Sequence, residues 1–201
     1  MSAEPRIQFK KLKGFPDVDF NDNVKIPTHE FLMASKEVVM TIESFGKLFA
    51  PVTKDMQGNV DKLTKCFLKN PIKYEFLDSL ILENKEDQVF SSDALLWLKR
   101  ALELIHKFFE NILNDVSFSE NLKDHLQTAY DCTLKQYHGW IVQNTVTLIY
   151  RWVPNRSELL GNGDSHQENL VALKTYLPVM GMHLNYIDRF LKENSLAQVK
   201  K

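Results

Sequence analysis

The stretch Ser92-Asp93-Ala94-Leu95-Leu96-Trp97-Leu98-Lys99-Arg100-Ala101-Leu102-Glu103-Leu104-Ile105-His106-Lys107-Phe108-Phe109-Glu110-Asn111-Ile112-Leu113-Asn114 decides the fold class. Placed at about 100° per residue, Leu95, Leu98, Leu102, Ile105, Phe109 and Ile112 fall on one stripe. Trp97, Ala101, Leu104 and Phe108 make a second stripe beside it. Together they cover roughly half the circumference, wider than the ~100° band of an ordinary surface helix. Lys99, Glu103, His106, Lys107 and Glu110 take the opposite side. A helix of this kind is packed from two directions, in the middle of a layer. Ser91-Ser92-Asp93 is expected to cap it, and Trp97 lies at the outer border of its apolar arc, next to Arg100.

Outward from this segment, the rest of the chain also reads as helical. Seven Gly and seven Pro among 201 residues are few, against a usual ~12% of a chain. That scarcity disfavours a turn-rich sandwich or barrel. No run alternates with period two, and there is no internal repeat. Pro27-Thr28 opens a helix to about Gly46, with Thr28 as N-cap. Pro51 suits the first position of a helix running to Asn70. A short helix is predicted over about 72–86, and Ser119 is expected to cap the longest one, continuing to Val153. Gly161-Asn162-Gly163-Asp164-Ser165 reads as a loop, before a last helix over about 166–194 that Pro178 should kink. Residues 1–25 form an irregular arm whose Phe9, Leu12 and Phe15 are placed to dock on the core, and residues 26–201 form a single domain.

Composition sets outer bounds on function. Hydrophobic residues are 44% and charged residues 25%, as in a soluble globular chain. A net charge of −1 provides no basic field for nucleic acid. Two cysteines, Cys66 and Cys132, make neither a disulfide framework nor a zinc site. The N-terminus has no apolar signal core, and the longest stretch without a formal charge, Gln136–Tyr150, is too short and polar to span a bilayer. A cytoplasmic protein is expected, with any membrane contact peripheral. There is no G-x-S-x-G, no phosphate-binding G-x-x-x-x-G-K-[ST] and no H-E-x-x-H. The six His show no i, i+4 pair, so neither a metal nor a cofactor is expected. No nucleophile with a base and an oxyanion hole is legible, and the chain is not read as an enzyme.

Two polar features stand out against this background. On the Pro51–Asn70 helix, Val52, Met56, Val60, Leu63 and Phe67 make the core stripe, and Asp55, Asn59 and Lys62 make a ridge along its edge. On periodicity alone that ridge is a half-exposed ladder worth a few tenths of a kcal/mol. In the Ser119–Val153 segment, Tyr130, Leu134, Tyr137, Ile141, Leu148 and Trp152 make the apolar face and His138 falls inside it. A histidine there is ordinarily a hydrogen-bonded core residue. Trp140 points away from that face, either under another layer or into solvent as an interfacial anchor.

Three segments, Pro51-Val52-Thr53-Lys54-Asp55-Met56-Gln57-Gly58-Asn59-Val60-Asp61-Lys62, Ala94-Leu95-Leu96-Trp97-Leu98-Lys99-Arg100 and Tyr137-His138-Gly139-Trp140-Ile141-Val142-Gln143, together resemble the glycolipid transfer protein family. The resemblance runs from Ile26 to about Asn194. It implies an all-α, two-layer α-helical sandwich of about eight helices. It also implies an activity without a chemical step, the intermembrane transfer of glycosphingolipids at the cytosolic face of membranes. On this resemblance Asp55 takes the ceramide amide N–H and a sugar hydroxyl, and Asn59 and Lys62 bind sugar hydroxyls. Trp97 lies flat against the sugar ring, His138 meets the amide carbonyl, and Trp140, assisted by Ile141, docks on the membrane surface. Asn144 and Arg151 stand where human-type members carry a Lys and a Tyr, and the ending Leu196–Lys201 lacks the Tyr found in some members. The alternative is a ceramide-1-phosphate carrier, which needs convergent cations where this chain has Trp97. A lipid-modifying enzyme using Asp55 and His138, or a helical adaptor, are the readings from other classes.

Overall fold

The computed structural model describes residues 4–20 and 25–197. Parts of the expected arm (1–3 and 21–24) and the end of the C-terminal tail (198–201) lie outside the described residues. Among these residues there are eight α-helices and no strand: α1 (Thr28–Glu43), α2 (Ala50–Lys69), α3 (Leu77–Leu82), α4 (Gln88–Asn114), α5 (Lys123–Cys132), α6 (Trp140–Ile149), α7 (Arg156–Leu160) and α8 (Gly163–Glu193). The fold is the all-α, two-layer sandwich that the sequence predicts. α4 is its centre, packed against α2, α8, α5 and α3, while α1 packs on α2 and α7 on α8. The double stripe accounts for this position. Leu95, Leu98, Leu102 and Phe108 are fully buried, and Ala101, Leu104, Ile105, Phe109 and Ile112 nearly so.

Local chemistry shifts several helix ends from their predicted places. α4 starts at Gln88, so Ser91 and Ser92 sit inside the helix, their hydroxyls donating to the Gln88 and Val89 carbonyls. Thr28 does not cap α1. Its Oγ1 donates instead to the Tyr74 carbonyl at 2.7 Å, beside an isolated antiparallel bridge between Pro27 and Phe76. The predicted 72–86 helix is only α3, and α8 begins at Gly163 and passes through Pro178 without interruption. Lys99, expected on a solvated face, is only 6% exposed, because it pairs with both Glu103 and Asp188.

The main correction concerns Ser119–Val153. It is not one long helix. The chain leaves helical geometry at Thr133 (φ −118°, ψ −85°), makes a 3₁₀ turn over Lys135–Tyr137, and stays extended at His138 and Gly139 before α6. A side chain closes the break: Gln143 Nε2 donates to the Lys135 and His138 carbonyls at 3.1 and 2.7 Å. The interruption resets the helical phase. Of the predicted apolar face only Tyr130 and Leu134 are buried, while Tyr137, Ile141, Leu148 and Trp152 are exposed.

At the other end of the molecule, Phe9 and Phe15 are buried, and Asn169 of α8 fastens the chain around them. Its Oδ1 accepts from the Phe9 N–H, and its Nδ2 donates to the Ile7 and Leu160 carbonyls, all at 2.9 Å. No helix among the described residues is long and apolar enough to cross a membrane.

Candidate functional site

α2 presents Asp55, Asn59 and Lys62 one turn after another, and the edge of the stripe is where its exposed and buried faces meet. Asp55 and Lys62 are exposed and Asn59 is buried. Asn59 Nδ2 donates to the Asp55 backbone carbonyl at 3.1 Å, and its Oδ1 accepts from Lys62 Nζ at 3.2 Å. A ladder therefore exists, but the Asp55 carboxylate is not part of it, and among the described residues it makes no hydrogen bond or ion pair. Lys62 Nζ also lies 5.8 Å from the centre of the Phe90 ring.

Across from this ridge, Trp97 of α4 is half-buried, its ring nearly parallel to that of His138 (16° between planes, centroids 6.2 Å apart). His138 stands on the extended junction before α6, and Tyr130 of α5 meets its Nδ1 at 3.0 Å. Burial, reinforced by the positive charge of Arg100, holds this imidazole below the ordinary histidine range, while the Asp55 carboxylate opposes the shift. Arg100 itself is 6% exposed and stacked on two rings, with its guanidinium carbon 3.5 Å from the Tyr137 centroid and 4.9 Å from that of Trp97. Its Nη1 has no hydrogen-bond partner among the described residues.

All five predicted head-group residues, Asp55, Asn59, Lys62, Trp97 and His138, line one cleft of about 520 Å³. Below the polar rim it is walled by apolar side chains, Met56, Ala101 and Leu104 from α2 and α4, and Leu134, Val142, Val146 and Ile149 from α5 to α6. The volume suits a drug-sized ligand or part of a lipid chain. A carboxylate, an amide, an ammonium, an indole plate and an imidazole at the mouth of an apolar slot can bind a ligand that is polar at one end and oily at the other. Trp140 opens α6 and is 72% exposed, and Ile141 beside it is exposed as well. Among the described residues no group of three His, Cys, Asp or Glu side chains is placed to hold a metal.

Sequence reasoning missed three members of this neighbourhood. Tyr130 reads as one more aromatic on a core stripe, and only the break after α5 turns its hydroxyl to His138. Tyr137 counts as core but stacks on Arg100 at the surface. Asp93, expected as a cap, lines the cleft. The spacing of Trp97 and Arg100 was the one legible signal of a stacked pair.

Comparison with known proteins bears on the family and the fold. The sequence model of the Glycolipid transfer protein (GLTP) family matches residues 26–163. The pleckstrin homology domain-containing family A member 8 of Mus musculus is 29% identical over 199 residues, covering 91% of this chain and 38% of that protein. The chain therefore spans about two fifths of that relative's length. Glycolipid transfer protein 1 of Arabidopsis thaliana is 30% identical over 156 residues, 74% of this chain and 75% of that one. Among solved structures, the fungal glycolipid transfer protein HET-C2 superposes with a TM-score of 0.83 at 26% identity, covering 92% of this chain and 97% of the other. The GLTP fold of FAPP2, which selects simple glycosphingolipids, gives 0.81 at 26% identity, covering 96% and 95%. Mouse ceramide-1-phosphate transfer protein, at 22% identity and a TM-score of 0.80 over 97% of each chain, shares the fold. With the family model matched from Ile26 to Gly163 and the helical sandwich built as above, this chain belongs to the glycolipid transfer protein family.

Proposed function

We propose that this chain carries glycosphingolipids between membranes, binding the sugar and amide at the rim of the cleft and the hydrocarbon within it. The observation that supports the reading best is the convergence of Asp55, Asn59, Lys62, Trp97 and His138 on a single apolar slot. Each residue type matches part of such a head group. A carboxylate only accepts, so Asp55 takes an N–H and a hydroxyl together. Asn59 and Lys62 meet further hydroxyls. The indole of Trp97 offers an apolar plate to the C–H face of a sugar ring. His138 faces the amide carbonyl, so the N–H and C=O of the amide are both satisfied. Leaving either buried without a partner costs about 1–3 kcal/mol. No bond is made or broken in this cycle.

Delivery requires contact with a bilayer, and we assign it to Trp140 and Ile141 at the start of α6, a few residues from His138. A net charge of −1 gives little attraction to anionic surfaces. Docking at the cytosolic face then rests on a small apolar contact that is weak, reversible and only mildly sensitive to salt.

Ceramide-1-phosphate is the alternative cargo. Among the side chains lining the cleft, Lys62 is the cation, and Arg100 is stacked on Trp97 and Tyr137 outside the lining. A single ammonium opposite an aromatic plate favours a sugar over a phosphate dianion. A vesicle-to-vesicle assay with galactosylceramide, ceramide-1-phosphate and a galactosyl diacylglycerol tests the choice. Galactosylceramide should move fastest, and Trp97→Ala should abolish its transfer while the helical circular dichroism persists. Faster movement of ceramide-1-phosphate would install the phosphate reading. Transfer of none of the three would make the chain a binding module of another kind.

A further inference from the structure

The hydrogen bond between Tyr130 and His138 carries more than packing. Tyr130 is 3% exposed, and its hydroxyl meets His138 Nδ1 at 3.0 Å and no other partner among the described residues. Two arrangements satisfy that distance. In one, a ring Nδ1–H donates to the phenol oxygen, and the phenol proton, on a side chain that is 3% exposed and lines the cleft, is left without an acceptor among the described residues. In the other, the phenol O–H donates to a bare Nδ1, and nothing is left over. The Tyr150 ring packs edge-on with its centre 5.9 Å from that of Tyr130, but among the described residues the buried Tyr150 hydroxyl makes no hydrogen bond, so it does not serve as that acceptor. A donor left unpaired in a desolvated cleft is costly, which favours the second arrangement.

That choice fixes the rest of the ring. With Nδ1 accepting, a neutral imidazole carries its proton on Nε2. Burial and Arg100 both favour the neutral form. Trp97 covers one face of the ring, and His138 lines the cleft, so the Nε2–H is the polar group the ring has left to offer. The Asp55 carboxylate on the same rim favours a donor over a lone pair at that edge.

We propose that Tyr130 is a positioning residue that locks His138 as its Nε2–H tautomer, so that the ring, paired with Asp55 on the same rim, presents a fixed donor to the carbonyl of a bound lipid. The donation to a lipid carbonyl rests on the glycosphingolipid reading above; the tautomer does not. A secondary amide presents one acceptor and one donor to this pair. An ester presents the acceptor and leaves Asp55 facing an oxygen. Were the ring to take its other tautomer, a lone pair would face the carbonyl, and amide and ester lipids alike would lose this bond.

Two-bond ¹⁵N–¹H spectra of the imidazole rings test the lock in the lipid-free protein, with His138 assigned by the loss of its signals in His138→Gln. The wild type should show a single Nε2–H tautomer at His138 near pH 7.5, and Tyr130→Phe, which keeps the ring, should show a mixture. The same variant should bind short-chain galactosylceramide about fivefold more weakly, the weight of one neutral hydrogen bond, with a loss of similar size for a short-chain galactosyl diacylglycerol, whose carbonyl would meet the same donor. A wild-type His138 that is Nδ1–H or mixed overturns the proposal. So does a Tyr130→Phe protein with an unchanged tautomer, or one that binds short-chain galactosylceramide as tightly as the wild type. A wild type that binds no galactosylceramide refutes the glycolipid reading instead, and the lipid-free spectrum still decides the tautomer.

Discussion

Replacing Asp55 with Ala separates a binding role from a structural one, because the carboxylate is exposed and makes no hydrogen bond or ion pair among the described residues. The ladder on α2 survives the change, since Asn59 bonds the Asp55 backbone carbonyl and not its side chain. Surface substitutions of this kind move stability by roughly ±0.5 kcal/mol, so the unfolding midpoint should stay within about 2 °C. In the complex the outcome is different. On the proposed binding mode the variant would leave a desolvated amide N–H without an acceptor, at about 1–3 kcal/mol, and would also lose a charge-assisted bond from a sugar hydroxyl. A combined loss near 3 kcal/mol corresponds to about a 150-fold weaker complex. Calorimetry or tryptophan quenching with short-chain galactosylceramide reads this directly, alongside thermal unfolding of both proteins. The ester-linked analogue has no amide N–H, so its loss should be several-fold smaller. An affinity for galactosylceramide within threefold of wild type would refute the reasoning, and so would equal losses for the two lipids.

Trp140→Ala should lower partitioning onto neutral vesicles and slow transfer several-fold, with affinity for a soluble short-chain glycolipid nearly unchanged; unaltered vesicle binding in a sedimentation assay would make Trp140 a bystander. Asn169→Ala leaves three buried backbone groups unpaired where the N-terminal segment meets α7 and α8, so it should cost about 2–4 kcal/mol and speed tryptic cleavage at Lys10 and Lys11. The pH profile of stability follows from His138, His166 and His183, all held below the ordinary histidine value of 6.5, chiefly by burial. Below that value the unfolded chain binds more protons than the folded one, so stability is complete above about pH 7.5 and falls progressively as pH drops through 6.5. An unfolding midpoint that rises between pH 7.5 and 5.5 would contradict that sign.

The central helix was legible because burial from two sides forces a double stripe that no other element shows. The polar ridge on α2 was legible as a pattern, since three polar residues at helical spacing along an apolar edge survive any small error in the helix ends. Its purpose was not legible from spacing and came from the family resemblance. The break between α5 and α6 stayed hidden for a definite reason. Tyr130, Leu134, Tyr137 and Ile141 keep helical spacing straight through it, and a lone Gly139 is tolerated in a helix interior at a cost of about 1 kcal/mol. What tips the balance is non-local in the pattern, a Gln143 side chain reaching back to two carbonyls. The expectation that His138 and Trp140 face opposite ways was therefore reached through a helix that does not exist, although one does line the cleft and the other is exposed. Tyr130 was missed because a tyrosine on a core stripe gives no sign of which polar atom its hydroxyl will find.

The two walls of the cleft are unequal in how firmly they are held. α4 buries fifteen of its 27 residues, but α6, only ten residues long, buries Ile149 alone. Local opening is cheapest where the fewest apolar contacts are lost. Amide protons along α6 should therefore exchange with deuterium through small, frequent excursions, while those of α4 wait for the whole fold to open. The slot thus has a stiff side and a compliant side, and α6, the compliant one, also carries Trp140 and Ile141. On the proposed docking, a hydrocarbon chain wider than the resting slot would need to displace only the helix that meets the membrane. Protection against exchange would then rise on α6 once the slot is filled, which makes that helix the place where an occupied protein can be told from an empty one.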